Sequence, residues 1–280
     1  MIRAMIRRIS ILAGYYAKGV FFSLTGLILL IFSLVYWSVF FPPGQGTPDV
    51  ENYIVLIGAW GAAATFLATL ALSGRASRLE NYPLITRLPS RVEYLVAVLL
   101  GSLILGAFMQ LLVAGLALIR GPEITSVQLL AIPPVWLSIN LLAAVLACHA
   151  SDLVTAGWSR VILFGFIAIA LVFNSAASGP DSWFSDRFTD LAQLFARLNL
   201  MWFSDLSVSM ASWAARSPLA PVAQAVSMIF WPFNAISDAI FSGRFTPSQA
   251  LAPAILVLYG TILFLIAATL FAGKDLEFLE

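Results

Sequence analysis

The chain has 280 residues, of which 61% are hydrophobic and only 10% charged, with a net charge of +1 and a mean hydropathy of +0.95. Soluble domains carry nearer a quarter charged residues, so this composition excludes an ordinary water-soluble core, and the charge balance offers nothing to nucleic acid or acidic ligands. The single cysteine, Cys148, excludes an internal disulfide or a thiolate metal cluster.

In chain order, Met1–Gly19 is too interrupted by Arg3, Arg7, Arg8 and Lys18 to span a membrane. Ile2, Met5, Ile6, Ile9 and Leu12 fall on one side of a helix, so the segment reads as an amphipathic helix on an anionic lipid surface. A cleaved signal peptide is the competing reading, but no A-x-A-like site precedes the following apolar run. Six apolar runs follow, at Val20–Phe41, Tyr53–Leu72, Val92–Ile119, Val127–Cys148, Val161–Ser178 and Leu251–Ala272. About 20 apolar residues carry a helix across a hydrocarbon core of ~30 Å, a length the Val161 run barely reaches. The fold class expected is therefore an all-α integral membrane protein with six transmembrane helices in a single domain.

Positive charge alternates between the loops. The amino terminus is basic, the loop holding Asp49 and Glu51 has no base, and Arg75, Arg78, Arg87 and Arg91 lie between the second and third runs. Arg120 is then offset by Glu123, and Arg160 precedes the fifth run. The positive-inside rule places both termini and the second and fourth loops in the cytoplasm of a multi-pass cell (inner or plasma) membrane protein. Region 179–249 holds five acids and four bases, so it has no positive bias and is assigned to the outer side. Within it, Phe188–Trp202 and Asp205–Ala215 read as amphipathic helices, and Trp183, Trp202, Trp213 and Trp231 suit headgroup depth. Ala220–Phe241 is apolar, but Pro221, Pro232, Asn234 and Asp238 favour a re-entrant or interfacial hairpin over a seventh span.

The spans contain almost no central charge, which argues against proton coupling and against a charged pore. His149 lies in Cys-His-Ala-Ser-Asp, yet neighbouring helix residues diverge and a metal needs convergent ligands, so a histidine at a helix end is the simpler account. Hydrolase and zinc-protease motifs are absent, and so is the phosphate-binding loop of an ATPase. Gly58, Gly61, Ala62 and Ala63 permit close helix contact, either within the chain or between two copies. The 73–91 loop mixes bases with Leu79, Tyr82, Leu84, Ile85 and Leu88, a pattern that suits a short helix before Pro89 lying on lipid or on a soluble partner.

This layout resembles the permease subunits of type-2 ATP-binding cassette (ABC) exporters. Leu88-Pro-Ser-Arg-Val-Glu-Tyr94 is similar to a turn that often opens their third span, one residue shorter between Pro and Ser, and Phe271-Ala-Gly-Lys-Asp-Leu276 resembles their ending. The resemblance implies a coupling helix at 73–91, with Arg78, Glu80, Tyr82, Arg87 and Arg91 meeting a nucleotide-binding ATPase subunit. It also implies ATP and Mg on that subunit with no cofactor in this chain, a second permease as a homo- or heterodimer, and an outer hairpin before the last span. The expected function is export of a hydrophobic or amphipathic compound along a path lined by residues such as Phe32, Tyr36, Phe66 and Phe108. Two alternatives stand beside it: a non-transporting anchor or assembly factor recruiting a cytoplasmic partner, and an intramembrane enzyme, which would need polar side chains converging at one depth.

Overall fold

The computed structural model describes residues 2–42, 49–119, 121–154, 160, 192–193, 204–209, 220–242, 246–247 and 249–273. Among them there is no strand, and the chain is an all-α protein. The helices are α1 (Ile2–Phe21), α2 (Leu24–Phe40), α3 (Val50–Ala76), α4 (Tyr82–Arg87), α5 (Arg91–Leu118), α6 (Ser126–Ala150), α7 (Ala220–Ser242) and α8 (Ala252–Gly273). Contacts divide the chain into a unit of Met1–Phe164 with Asp238–Glu280 and a unit of Gly165–Ser237.

Helices α3, α5, α6 and α8 are each long and apolar enough to cross a membrane, and the pair α1–α2 adds a fifth if its two parts count as one broken span. At 1.5 Å per residue, α3 and α5 are each about 40 Å long, so their ends pass beyond the hydrocarbon core. The expected fifth span, Val161–Ser178, lies outside the described residues, as does most of the two expected amphipathic helices, Phe188–Trp202 apart from residues 192–193 and Asp205–Ala215 apart from residues 205–209. Residues 204–209 are helical. Ala220–Phe241, expected as a re-entrant or interfacial hairpin, lies in one continuous helix, Ala220–Ser242. Pro221 sits in its first turn, where no intrahelical donor is lost, and Pro232 is carried within it. In that second unit Phe230 and Phe233 lie with ring centroids 6.1 Å apart.

The first apolar run does not form one straight helix from Val20. The α1 helix continues to Phe21, and the chain then turns by 70° into α2. Ser23 ends α1 by directing both its N–H (3.0 Å) and its hydroxyl (2.6 Å) at the Val20 carbonyl. A Cβ on Gly26 would lie 2.5 Å from that oxygen and 2.7 Å from the Phe21 carbonyl carbon, so only glycine lets the end of α1 rest on the first turn of α2.

Helix α5 is the axis of the first unit, packing against α1, α3 and α2 and touching α6 and α8. Lipid removes the hydrophobic drive for helix association, leaving close packing and interhelical hydrogen bonds to hold the bundle. A Cβ on Gly106 of α5 would come within 2.7 Å of the Thr65 Cα on α3, so the two backbones are nearly in contact there. Gly58 faces the Trp136 ring and Gly61 the Gln110 amide, which places these small residues within the chain's own core. Ala63, by contrast, is exposed. The same glycines leave α3 carbonyls accessible: Trp136 Nε1 donates to Ile54 O at 3.1 Å and Gln110 Nε2 to Ile57 O at 3.2 Å.

Helix directions follow from these pairs. Gly106 faces Thr65 while Gly101 faces Leu72, so α3 and α5 are antiparallel. Gly260 faces Leu141, and His149 Nε2 lies 2.9 Å from Leu263 O, so α6 and α8 run in the same direction.

Candidate functional site

The end of the bundle formed by the start of α5 gathers parts from four other helices. α3 stops at Ala76, and its last carbonyls are taken locally: Ser77 N–H bonds Ser73 O at 3.0 Å, and the buried Asn81 Nδ2 bonds Arg75 O at 2.8 Å. A single 3-10 turn, Leu79–Asn81, leads into α4. Pro83 occupies the first turn of α4, where its missing donor is harmless. Leu88, ahead of Pro89, is extended (φ −80°, ψ 139°) because proline disfavours a helical residue before it. Ser90 then caps α5, its hydroxyl accepting from Val92 N–H at 3.2 Å.

Of the apolar row expected here, Ile85 is buried and anchors α4, while Leu84 and Leu88 are half-buried. Arg78, Glu80, Arg87 and Arg91 are all exposed along this turn. The side chains of Leu79 and Tyr82 lie outside the described set. Arg91 also reaches the far end of α8, with Nη1 3.4 Å from Ala272 O. Lys274 and Asp275 lie outside the described residues.

Behind this turn lies a polar layer that sequence reasoning missed. Arg8 of α1 forms a two-pronged ion pair with Glu93, Nε to Oε2 and Nη2 to Oε1 both at 2.9 Å. Tyr94 donates to Ala76 O at 2.7 Å, and the Tyr16 hydroxyl lies 2.7 Å from the Tyr94 hydroxyl; both rings are fully buried. Since Tyr94 spends its proton on Ala76, Tyr16 is the donor between them. The Tyr94 ring also stacks on Phe271 of α8, centroids 6.3 Å apart. Arg75 Nη1 donates to Gly19 O at 2.9 Å and so covers the end of α1. The available signal was Glu93 itself, a lone acid at the very start of an apolar run and opposite an arginine-bearing helix. It was legible as an ion-pair partner only once the crossing of α1 over α5 was known.

The four residues expected to line a path differ in their surroundings. Phe32 is 53% and Phe108 45% exposed. Phe66 is half-buried. Tyr36 is spent on packing: its hydroxyl donates to Leu56 O at 2.9 Å and its ring stacks on Trp60 at 4.8 Å.

The Cys-His-Ala-Ser-Asp cluster likewise diverges. His149 turns to α8, Ser151 Oγ bonds Cys148 O at 2.7 Å, Asp152 pairs with Arg160, and Cys148 is buried. No group able to hold a metal exists among the described residues. Two polar side chains do converge inside the bundle, Asn140 Nδ2 donating to Gln110 Oε1 at 2.6 Å. Both are amides, which neither ionise nor attack a substrate, and they join α5 to α6.

No protein-family model matches the chain, no curated protein is similar to it, and no solved structure matches it.

Proposed function

We propose that this chain is the membrane-spanning permease subunit of an ABC exporter for a hydrophobic or amphipathic compound, driven by ATP hydrolysis on a separate subunit. One observation carries the reading: the exposed, arginine-rich turn Arg78–Arg91 is tied into several spanning helices at once. Asn81 holds it to α3, Ser90 to α5 and Arg91 to α8, and Tyr94, three residues on, reaches α1 through Tyr16 and α8 through Phe271. A push on α4 therefore moves the bundle rather than bending a loose loop. Arginine suits such a contact, because its planar fork pairs twice with a carboxylate where lysine cannot. The chain carries no phosphate-binding loop, so ATP and Mg belong to the partner.

In this reading the α4 end faces the cytoplasm, with both termini, and the protein resides in the cell membrane. The parallel course of α6 and α8 supports this arrangement. If both span, the chain between them crosses an odd number of times, and six crossings return the C-terminus to the side of the N-terminus.

The anchor or assembly-factor reading draws support from the exposure of Phe32 and Phe108, two of the residues expected along a path. Purification of the tagged chain in mild detergent from its own host decides between the two. A stoichiometric ATPase, lost in the Arg87→Ala/Arg91→Ala variant while the fold persists, supports the permease. A partner with no nucleotide-binding loop, or an ATPase indifferent to both arginines, overturns the coupling role.

A further inference from the structure

The bend between α1 and α2 leaves an open cleft of about 450 Å3, lined by Phe21, Phe22, Ser23, Leu24, Gly26, Leu27 and Leu30. That volume lies within the ~300–1,000 Å3 typical of small-ligand sites. Phe21 and Phe22 form its aromatic side, meeting edge-on with centroids 5.1 Å apart, while Phe108 backs Phe21 at 5.3 Å and the exposed Leu24 and Leu27 complete the lining. Two cations neighbour the α1 stretch that leads into the cleft, without lining it: Lys18 on α1, and Arg75 of α3 through its bond to Gly19. Lys18 is exposed, one turn before Phe22, and has no ion pair or hydrogen bond from its ammonium among the described residues. Arg75 is half-buried beside Gly19 and uses only Nη1, on the Gly19 carbonyl; its Nε and Nη2 have no partner among the described residues. Glu80, the carboxylate on the next turn, is exposed and makes no ion pair with it.

We propose that this bend is a binding site for one anionic phospholipid, an acyl chain entering the cleft and the phosphate resting on Lys18 and Arg75. Charge and shape select the occupant together. A half-buried guanidinium with two nitrogens unpartnered among the described residues favours an anion, and the nearby apolar cleft suits an acyl chain rather than a soluble ion. The level fits as well. Arg75 stands in the last turn of α3, a helix longer than the hydrocarbon core, and holds Gly19 of α1 there, so on the proposed orientation its guanidinium sits near the cytoplasmic headgroups. A lipid bound here would brace the 70° bend from outside, on the half of α2 that precedes its anchors at Ser33 and Tyr36.

The test is native mass spectrometry of the full-length chain in mild detergent, titrated with phosphatidylglycerol and with phosphatidylcholine of identical acyl chains. The expected result is one phosphatidylglycerol retained per chain, well ahead of phosphatidylcholine. Each charge removed should weaken this by about five-fold, so Lys18→Gln/Arg75→Gln should weaken it by about 25-fold. Because Arg75 also covers the end of α1, Lys18→Gln alone and Leu27→Trp, which fills the cleft from its exposed side, read the site without disturbing that brace. Equal retention of the two lipids, or phosphatidylglycerol binding unchanged in both Lys18→Gln and Leu27→Trp, overturns the proposal.

Discussion

Gly106→Ala tests the claim that α3 and α5 are held by backbone proximity. The new methyl would sit 2.7 Å from the Thr65 Cα and would overlap its side chain as well. Ordinary contact begins near 3.4 Å, and a backbone atom cannot rotate away, so the two helices must part locally by most of an ångström. Overpacking of this kind costs about 1–3 kcal/mol, which corresponds to a fall of roughly 3–10 °C in the unfolding midpoint of a chain this size. Gly115 lies on the same helix with nothing within 4 Å of its would-be Cβ, so Gly115→Ala is the internal control. Relieved of glycine's conformational entropy, it should be neutral or slightly stabilising. The assay is loss of the monodisperse detergent peak on heating, read by fluorescence-detected size exclusion for both variants. Equal midpoints for Gly106→Ala and Gly115→Ala would refute the close-approach reasoning.

Arg8 and Glu93 should show a favourable coupling in a double-mutant cycle, limited by the partial exposure of Arg8, and the swap Arg8→Glu/Glu93→Arg should recover part of the lost stability; zero coupling would show that the pair does not hold α1 to α5. Tyr94→Phe removes the donor to Ala76 and the acceptor for Tyr16, at about 1–3 kcal/mol, whereas Tyr16→Phe leaves the Ala76 bond intact and should cost less. The reverse ranking in thermal stability would contradict the assigned direction of that chain. Arg78→Cys, in a Cys148→Ala background, should react with a membrane-impermeant maleimide in inside-out vesicles and not in intact cells. Labelling from outside would invert the proposed orientation.

Much of the bundle is legible because lipid imposes a length on apolar runs. Four of the expected spans match α3, α5, α6 and α8 to within a few residues at either end, since a backbone in hydrocarbon has little choice but to be helical. Ser90 and Pro89 likewise mark the start of α5 through purely local chemistry. The first run was harder, because hydropathy does not register direction. The turn at Ser23 depends on a hydroxyl reaching Val20 and on Gly26 admitting a carbonyl, neither of which alters the apolar count. The unbroken α7 was hidden for a related reason, as proline and polar residues lower the prospect of a helix without forbidding one.

The candidate surface divides in the same way. That a basic, partly apolar turn joins two spans is a property of consecutive residues, readable from Arg78 through Arg91. That Arg8 meets Glu93, that Tyr16 reaches Ala76 through Tyr94, and that Arg75 closes the end of α1 depends on residues dozens of positions apart. Composition sets the solvent, and the solvent sets the helices. Which helix crosses which is decided by where glycines let backbones touch, and only that packing brings the paired charges and hydroxyls within reach of one another.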